Sequence, residues 1–357
     1  MAAPPGRTRR VSRGAGQRAN KRSKQGPPLA AGLRRPGRVK LVTVFATRNG
    51  ARTLPDVLAA HAALRPIGSG RLIVVDNGSA DATPRILAEA AERHPALQLT
   101  VLRQPEPGKN RALNLALPFA AEADLVAFTD DDALPEPDWL ERLAEAAAAA
   151  PRYGVFGGTI ALSWMEAPPD WLFDWRVPLD ICFAANTSPV EGPVPAGRIW
   201  GPNMAVRGAL LRQGHRFDCG VGPDGTALYP MGSEVELTLR LERAGHPAWF
   251  APRAVVRHLV RPEQMALPWV LQRAYRCGLG AACVQNRKRS APAAVPLPLL
   301  LRRWSYGAAA PLARRALPRG RLWFWLQWQA LLLRGITDGM RPAAGARSYQ
   351  PAIETVP

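Results

Sequence analysis

Cysteine is scarce in this chain, and the few present stand apart. Cys182, Cys219, Cys277 and Cys283 form neither a Cys-x-x-Cys pair nor a metal-type spacing. That excludes a disulfide framework or a zinc module as the basis of the fold and points to a reducing compartment. Long hydrophobic runs are also missing. The uninterrupted apolar stretch of roughly 18 residues that marks a spanning helix does not occur. The first 40 residues contain no acid, and the first 38 contain no aromatic side chain. Without aromatics between the charges there is nothing to stack on bases, so nucleic acid is not an expected partner. No apolar core follows the N-terminal charges, which argues against a secretory signal.

What is present is charge, unevenly spread. The chain of 357 residues has a net charge of +19. Residues 1–40 hold twelve Lys or Arg, and residues 257–357 hold sixteen against Glu263, Asp338 and Glu354, which leaves residues 41–256 at −6. The middle is acidic between two basic ends. Residues 1–38, rich in Arg, Gly, Pro, Ser and Gln, cannot bury enough apolar surface to offset their ordering entropy and are expected to be disordered. Such a tail either solubilises the chain or attaches it electrostatically to anionic lipid.

From residue 39 onward the pattern alternates. Short apolar runs at 39–46, 72–75, 97–102 and 125–128 read as strands, and 54–64, 83–93 and 109–121 read as helices. Wholly apolar strands joined by amphipathic helices predict a parallel sheet covered on both faces. Beyond a helix at 138–150 the pattern becomes irregular, with strands expected at 153–164, 200–206 and 249–258 and a helix at 233–244. From residue 264 the chain turns helical, basic and apolar to about 336, and a polar tail follows.

Three of the early strands end in polar groups. One ends at Thr47-Arg48-Asn49-Gly50, one at Asp76-Asn77-Gly78-Ser79, and one at Asp130-Asp131-Asp132. Three adjacent carboxylates repel one another and need a counter-charge, and their hard oxygens suit Mg²⁺ or Mn²⁺. Ligands of open sheets bind beyond the carboxyl ends of the strands, where Asn49, Asp76 and Asp130 sit. Gly108-Lys109-Asn110-Arg111 opens a helix, whose free N–H groups together with Lys109 and Arg111 favour an anion. Asp81 reads as the cap of the helix that follows it.

These segments, with Gly201-Pro202-Asn203-Met204, Gly232-Ser233-Glu234-Val235-Glu236-Leu237 and Val255-Val256-Arg257-His258, occur in the order of the family 2 glycosyltransferases of the GT-A fold. The chain resembles that family over about residues 39–262. The resemblance implies a Rossmann-like mixed α/β sheet flanked by helices, an inverting metal-dependent sugar transfer, and a nucleotide-sugar donor. It places the donor nucleotide against Thr47, Asn49, Asp76, Lys109, Arg111 and Asp130, and the metal on Asp132 and His258, with no role for Asp131. It makes Glu234 the catalytic base. The usual family pattern there is Gly-Glu-Asp, so Ser233 stands for Glu and Glu234 for Asp, a substitution that keeps a carboxylate able to take a proton.

Trp171, Trp175, Trp200 and Asn203 fall where such enzymes form an acceptor pocket, although tryptophans are as readily core residues. The acceptor implied is a glycan or a lipid-linked sugar of cell-envelope or exopolysaccharide biosynthesis. Missing Gln-x-x-Arg-Trp disfavours a processive synthase. A single glycine in residues 47–52 disfavours a sugar-phosphate nucleotidyltransferase, which with a non-catalytic sugar-binding protein is the alternative. Residues 263–340 read as a basic helical extension and 341–357 as a flexible tail. Within the extension, residues 322–333 carry three tryptophans between Arg321 and Arg334. At 1.5 Å per residue this is roughly 18 Å, too short to span a bilayer but suited to its interface. The expected location is cytoplasmic, with peripheral contact at the inner face of the membrane.

Overall fold

The computed structural model describes residues 39–67, 70–286, 295–316 and 320–341. The basic segment 1–38, and the C-terminal tail beyond Arg341, lie outside the described residues.

Strand β1 (Leu41–Thr47), buried at every residue, is central to the parallel part of the sheet. Helix α1 (Leu54–Ala62), β2 (Arg71–Asp76), α2 (Thr83–Arg93), β3 (Thr100–Arg103), α3 (Lys109–Ala116) and β4 (Leu125–Phe128) follow in strict alternation. β1 lies between β2 and β4, and β3 pairs with β2, all parallel. Side chains on the strands alternate between two apolar layers, as the period of 2 requires. Val42, Val44, Ile73, Val75, Val126 and Phe128 meet α3 on one face. On the other, Phe45, Leu72 and Val74 meet α1 and α2.

The second half reverses direction. It runs β5 (Ala133–Pro135), α4 (Trp139–Ala149), β6 (Val155–Trp164), α5 (Trp171–Asp174), α6 (Leu179–Phe183), β7 (Gly192–Val194), β8 (Met204–Arg207), α7 (Gly208–Arg212), α8 (Ser233–Arg243) and β9 (Ala248–Val260). β8 pairs antiparallel with β4, and the sheet continues β8-β6-β9-β5, with β7 also on β9. The mixed sheet expected from the sequence is therefore present. Two strands were not foreseen: β5 and β7 are three residues each, too short for any alternation to register. Between Gly158 and Thr159 the β6–β9 register slips, so that β9 carries extra residues. The Thr159 hydroxyl bonds the Pro252 carbonyl there at 2.8 Å. Past that bulge β9 runs on to pair with β5, setting Ala133 opposite His258.

Three helices close the described chain, α9 (Leu267–Asn286), α10 (Leu297–Ala316) and α11 (Arg321–Gly339). Among the described residues no helix is long and apolar enough to cross a membrane. The boundary expected at 262/263 runs through one apolar cluster. Leu172, Val177, Phe183 and Val260 share it with Val270, Ala274, Trp323, Phe324 and Trp328. Of the residues 322–333 read as interfacial, Trp323, Phe324 and Trp328 are buried in this cluster, whereas Leu322 and Trp325 are exposed.

α9 and α11 cross where Gly278 meets Gly335. A Cβ on Gly335 would collide with the Tyr275 carbonyl oxygen. Gly335→Val should therefore separate the two helices and destabilise the fold by about 1–3 kcal/mol, the usual cost of overpacking. Thermal or urea unfolding would read this, and an unchanged midpoint would mean that the crossing contributes little.

Candidate active site

The three strand ends converge as the sequence suggested, and each is fastened by side chains within a few residues of it. The Asp76 carboxylate accepts the Ser79 N–H at 3.0 Å and is itself buried. Asn49 adopts a left-handed backbone (φ 55°), and its side-chain carbonyl accepts the Ala80 N–H at 2.9 Å. Thr47 donates its hydroxyl to Asp131 at 2.6 Å, while its carbonyl accepts the Asn77 N–H at 2.8 Å. Asp131 is thus a brace for β1. Burial, reinforced by Asp132 and only partly offset by the Thr47 hydroxyl, pushes its carboxyl up to about 7. Asp81 caps α2 through the Thr83 N–H at 3.0 Å, as expected.

Lys109, the first residue of α3, reaches under the acidic strand end. Its Nζ lies 2.6 Å from Asp130 and 2.8 Å from Glu234, and all three side chains are at most one-fifth exposed. Glu234 sits in the first turn of α8, where the helix start also favours a carboxylate. Burial would raise Glu234, but the Lys109 ammonium outweighs it and holds the carboxyl below its ordinary range. Glu234 is therefore ionised, the state a base requires. Gly201 makes this packing possible, since a Cβ there would strike the Glu234 carboxylate. Glu236, two residues on, is buried and bonded instead to Arg240 at 3.0–3.1 Å. Ser233 is 2% exposed and packed against Gly222, which leaves little room for the longer side chain of the family pattern.

The third carboxylate has different partners. One Asp132 oxygen lies 3.0 Å from His258 Nε2, and the other accepts from Arg261 at 3.0 Å. Burial would raise Asp132, yet His258 and Arg261 hold it down to about 2. His258 Nδ1 is 2.7 Å from the Phe183 carbonyl. With an acceptor on each nitrogen the ring is held in its protonated form: burial would lower its pKa, but the Asp132 carboxylate outweighs it and raises it. Loss of the Nε2 proton would leave Nδ1–H on the carbonyl and free the Nε2 lone pair, the form that ligates a metal. Asp132 and His258 thus fit a divalent ion with few protein ligands, the rest coming from solvent and substrate. Among the described residues no group of three or more His, Cys, Asp or Glu gathers for this purpose.

Other expected residues fall elsewhere. Arg111 is half-exposed and paired with Glu106, away from the carboxylates. Asn203 is committed to the core: its amide donates to the carbonyls of Thr159 and Ala254, and its oxygen accepts the Trp139 indole N–H. That corrects its reading as an acceptor contact. Trp171 and Trp175 pack at a tilt of 44° with ring centroids 5.2 Å apart, and Trp175 meets Trp323 edge-on at 6.0 Å. They anchor α11 where an acceptor contact was expected. Trp200 is half-buried with its N–H on the Gly197 carbonyl at 3.1 Å.

Arg261, Asn77, Asn110 and Asn114 were missed. Asn77 fastens the turn before α3 through Gln104, Glu106 and Gly108. Asn110 and Asn114 hold residues 217–221 over α3. Their spacing of four on a helix was the available signal. Arg261 offered none beyond lying three residues after His258.

A mixed sheet whose parallel half ends in carboxylates, with the helix start that carries Glu234 opposite, is the architecture of the GT-A fold. The family model described as "Glycosyl transferase family 2" matches residues 43–187. The chain is 26% identical over 210 residues to the succinoglycan biosynthesis protein ExoM of Rhizobium meliloti (strain 1021), covering 58% of this chain and 62% of that protein. It is 25% identical over 175 residues to the glucosyl-dolichyl phosphate glucuronosyltransferase of Haloferax volcanii, covering 47% of this chain and 54% of that one. The matches thus span somewhat more than half the length of these relatives. Among solved structures, the mannosyltransferase PcManGT from Pyrobaculum calidifontis, in complex with GDP-Man and Mn²⁺, shares the fold. Its TM-score is 0.56 at 21% identity, with 86% of this chain and 89% of that chain covered.

The ion pair at the centre of the site makes a pH prediction. A base must be ionised to accept a proton, and Lys109 is what keeps buried Glu234 ionised. Lys109→Met should raise the Glu234 pKa and move the acidic limb of the kcat/KM profile to higher pH. An unmoved limb would assign the base elsewhere.

Proposed function

We propose that this chain is an inverting, metal-dependent glycosyltransferase that moves a sugar from a nucleoside-diphosphate sugar to an acceptor hydroxyl. The observation that carries the reading is the position of Glu234. It lies 125 residues from Lys109 in sequence, yet the same ammonium bonds both it and Asp130. A carboxylate base and the acidic strand end thus face one cleft. Asp76, with the turn braced by Asn49 and Asn77, would receive the nucleotide base and ribose. Lys109 would exchange part of its pairing with Asp130 for the donor diphosphate.

Glu234 would take the proton of the acceptor hydroxyl as its oxygen attacks the anomeric carbon and the bond to the diphosphate breaks. One displacement assisted by one base inverts the configuration. Asp132 and His258 would hold the divalent ion, Mg²⁺ or Mn²⁺, whose chemistry is neutralisation of charge on the leaving nucleoside diphosphate. Arg261, already on Asp132, adds positive charge to the same side. The relatives support an acceptor that is a glycan or a lipid-linked sugar, one being named for succinoglycan biosynthesis and the other for a glucosyl-dolichyl phosphate. The donor complex of the mannosyltransferase supports the donor class.

A thermal-shift screen of UDP-, GDP- and dTDP-sugars with Mn²⁺ should find one donor that raises the melting temperature, since ligand binding stabilises by mass action. With that donor, Glu234→Gln should retain the shift while transfer falls by roughly 10²–10⁴-fold, the usual contribution of a general base. Transfer at the wild-type rate would remove Glu234 from the mechanism. Asp132→Asn should abolish metal-dependent donor turnover, and retained Mn²⁺-stimulated turnover would place the metal on other residues.

A further inference from the structure

The helix α10 carries a stripe of side chains that face away from the rest of the protein. Leu297, Leu301, Trp304, Ala308, Pro311 and Leu312 recur at the spacing of one helix face, and all six are exposed. Trp304 is 74% exposed, and Leu297, Leu301 and Leu312 lie between 58% and 66%. The opposite face is the one that packs. Tyr306 meets Trp325 edge-on at 5.3 Å, Arg303 bonds Thr337 and Asp338, and Ala310 is buried. At 1.5 Å per residue the stripe runs roughly 22 Å along the helix. Scattered exposed apolar residues need no explanation, whereas a continuous stripe of this length marks a surface that something covers.

Charge selects the occupant. Between Glu263 and Asp338 the chain has no Asp or Glu and twelve Lys or Arg. Asp338 is itself held by Arg303 and Arg334. Arg302 and Arg321 are exposed on α10 and at the start of α11, next in sequence to Leu301 and Leu322. A second copy of this chain would set these cations against their like, and a nucleic acid would leave the leucines and Trp304 without a partner. A surface both anionic and apolar at shallow depth satisfies both requirements. We propose that α10 lies in the interface of an anionic bilayer, with its Leu/Trp stripe below the headgroups and its arginines on the lipid phosphates. For the interfacial role the sequence suggested at residues 322–333, α11 can offer only exposed Leu322 and Trp325 beside this stripe, because Trp323 and Trp328 are buried in the core.

The test is co-sedimentation of the 357-residue chain with vesicles of mixed phosphatidylglycerol and phosphatidylcholine, compared with phosphatidylcholine alone. Leu301→Glu with Trp304→Glu, both at exposed positions, should lower partition onto the anionic vesicles at least tenfold while leaving the melting temperature unchanged. Arg302→Gln with Arg321→Gln should reduce the preference for anionic over neutral vesicles. Deleting residues 1–38 should leave binding that the double glutamate substitution still removes. Equal partition of the wild type and the double glutamate variant, the result if the basic tail alone supplies the attraction, overturns the proposal. So does a dimer in light scattering that the same substitution dissolves, since a second copy would then be what covers the stripe.

Discussion

One ammonium group holds the catalytic half of this protein together. Lys109 bridges Asp130 at the end of β4 and Glu234 at the start of α8, elements that share no strand pairing. A buried carboxylate without a partner is costly, and breaking a buried pair typically costs about 3–5 kcal/mol. Lys109 offsets that cost for two carboxylates at once, and in doing so fixes the distance between the end of β4 and the start of α8. The backbone N–H of the same residue bonds the Pro223 carbonyl at 2.8 Å. The helix start is thereby tied to the segment that leads into α8. Position and charge state of Glu234 both follow from this one contact.

The other wall depends on a three-residue strand. β5 is short, yet its antiparallel pairing with the far end of β9 sets Ala133 opposite His258 and brings the Leu259 N–H onto the Asp132 carbonyl at 2.7 Å. Without the bulge at Gly158/Thr159, β9 would not reach that level with His258 directed at Asp132. The Phe183 carbonyl then sets the imidazole, which ties the metal side of the cleft to the short helix α6. That helix belongs to the apolar cluster formed with α9 and α11. The C-terminal helices are therefore neighbours of the site, and Arg273 of α9 adds to the positive charge that acts on Glu234.

Legibility in the sequence followed periodicity and local chemistry. β4 lies at 125–128 and α2 at 83–93, the same spans that the hydrophobic pattern predicts. Asp76, Asp130 and Asp132 were visible because carboxylates ending apolar strands have few structural reasons to be there. Arg261 was not, because an arginine directly after a strand carries no signal until the strand's pairing is known. Asn203 was misread for the converse reason: its motif position suggested a ligand contact, while three core partners use its amide. The tryptophans divided in the same way. Nothing local distinguishes Trp171 and Trp175, which pack against α11, from residues lining a sugar pocket.

The amino-acid sequence by itself determined the alternating parallel half, the carboxylates at its strand ends and the helix that begins with Lys109. Each of these depends on period, propensity and the preference of charge for strand and helix termini. Only the tertiary structure decided which charges would neutralise which. Lys109 chose Asp130 and Glu234, and Asp132 took His258 and Arg261, because burial makes an unpaired charge costly and the fold determines which partners are within reach. The same logic settled the C-terminal helices. Their composition is apolar and basic throughout, but only packing could bury Trp323 and Trp328 of α11 and leave the stripe of α10 facing outward.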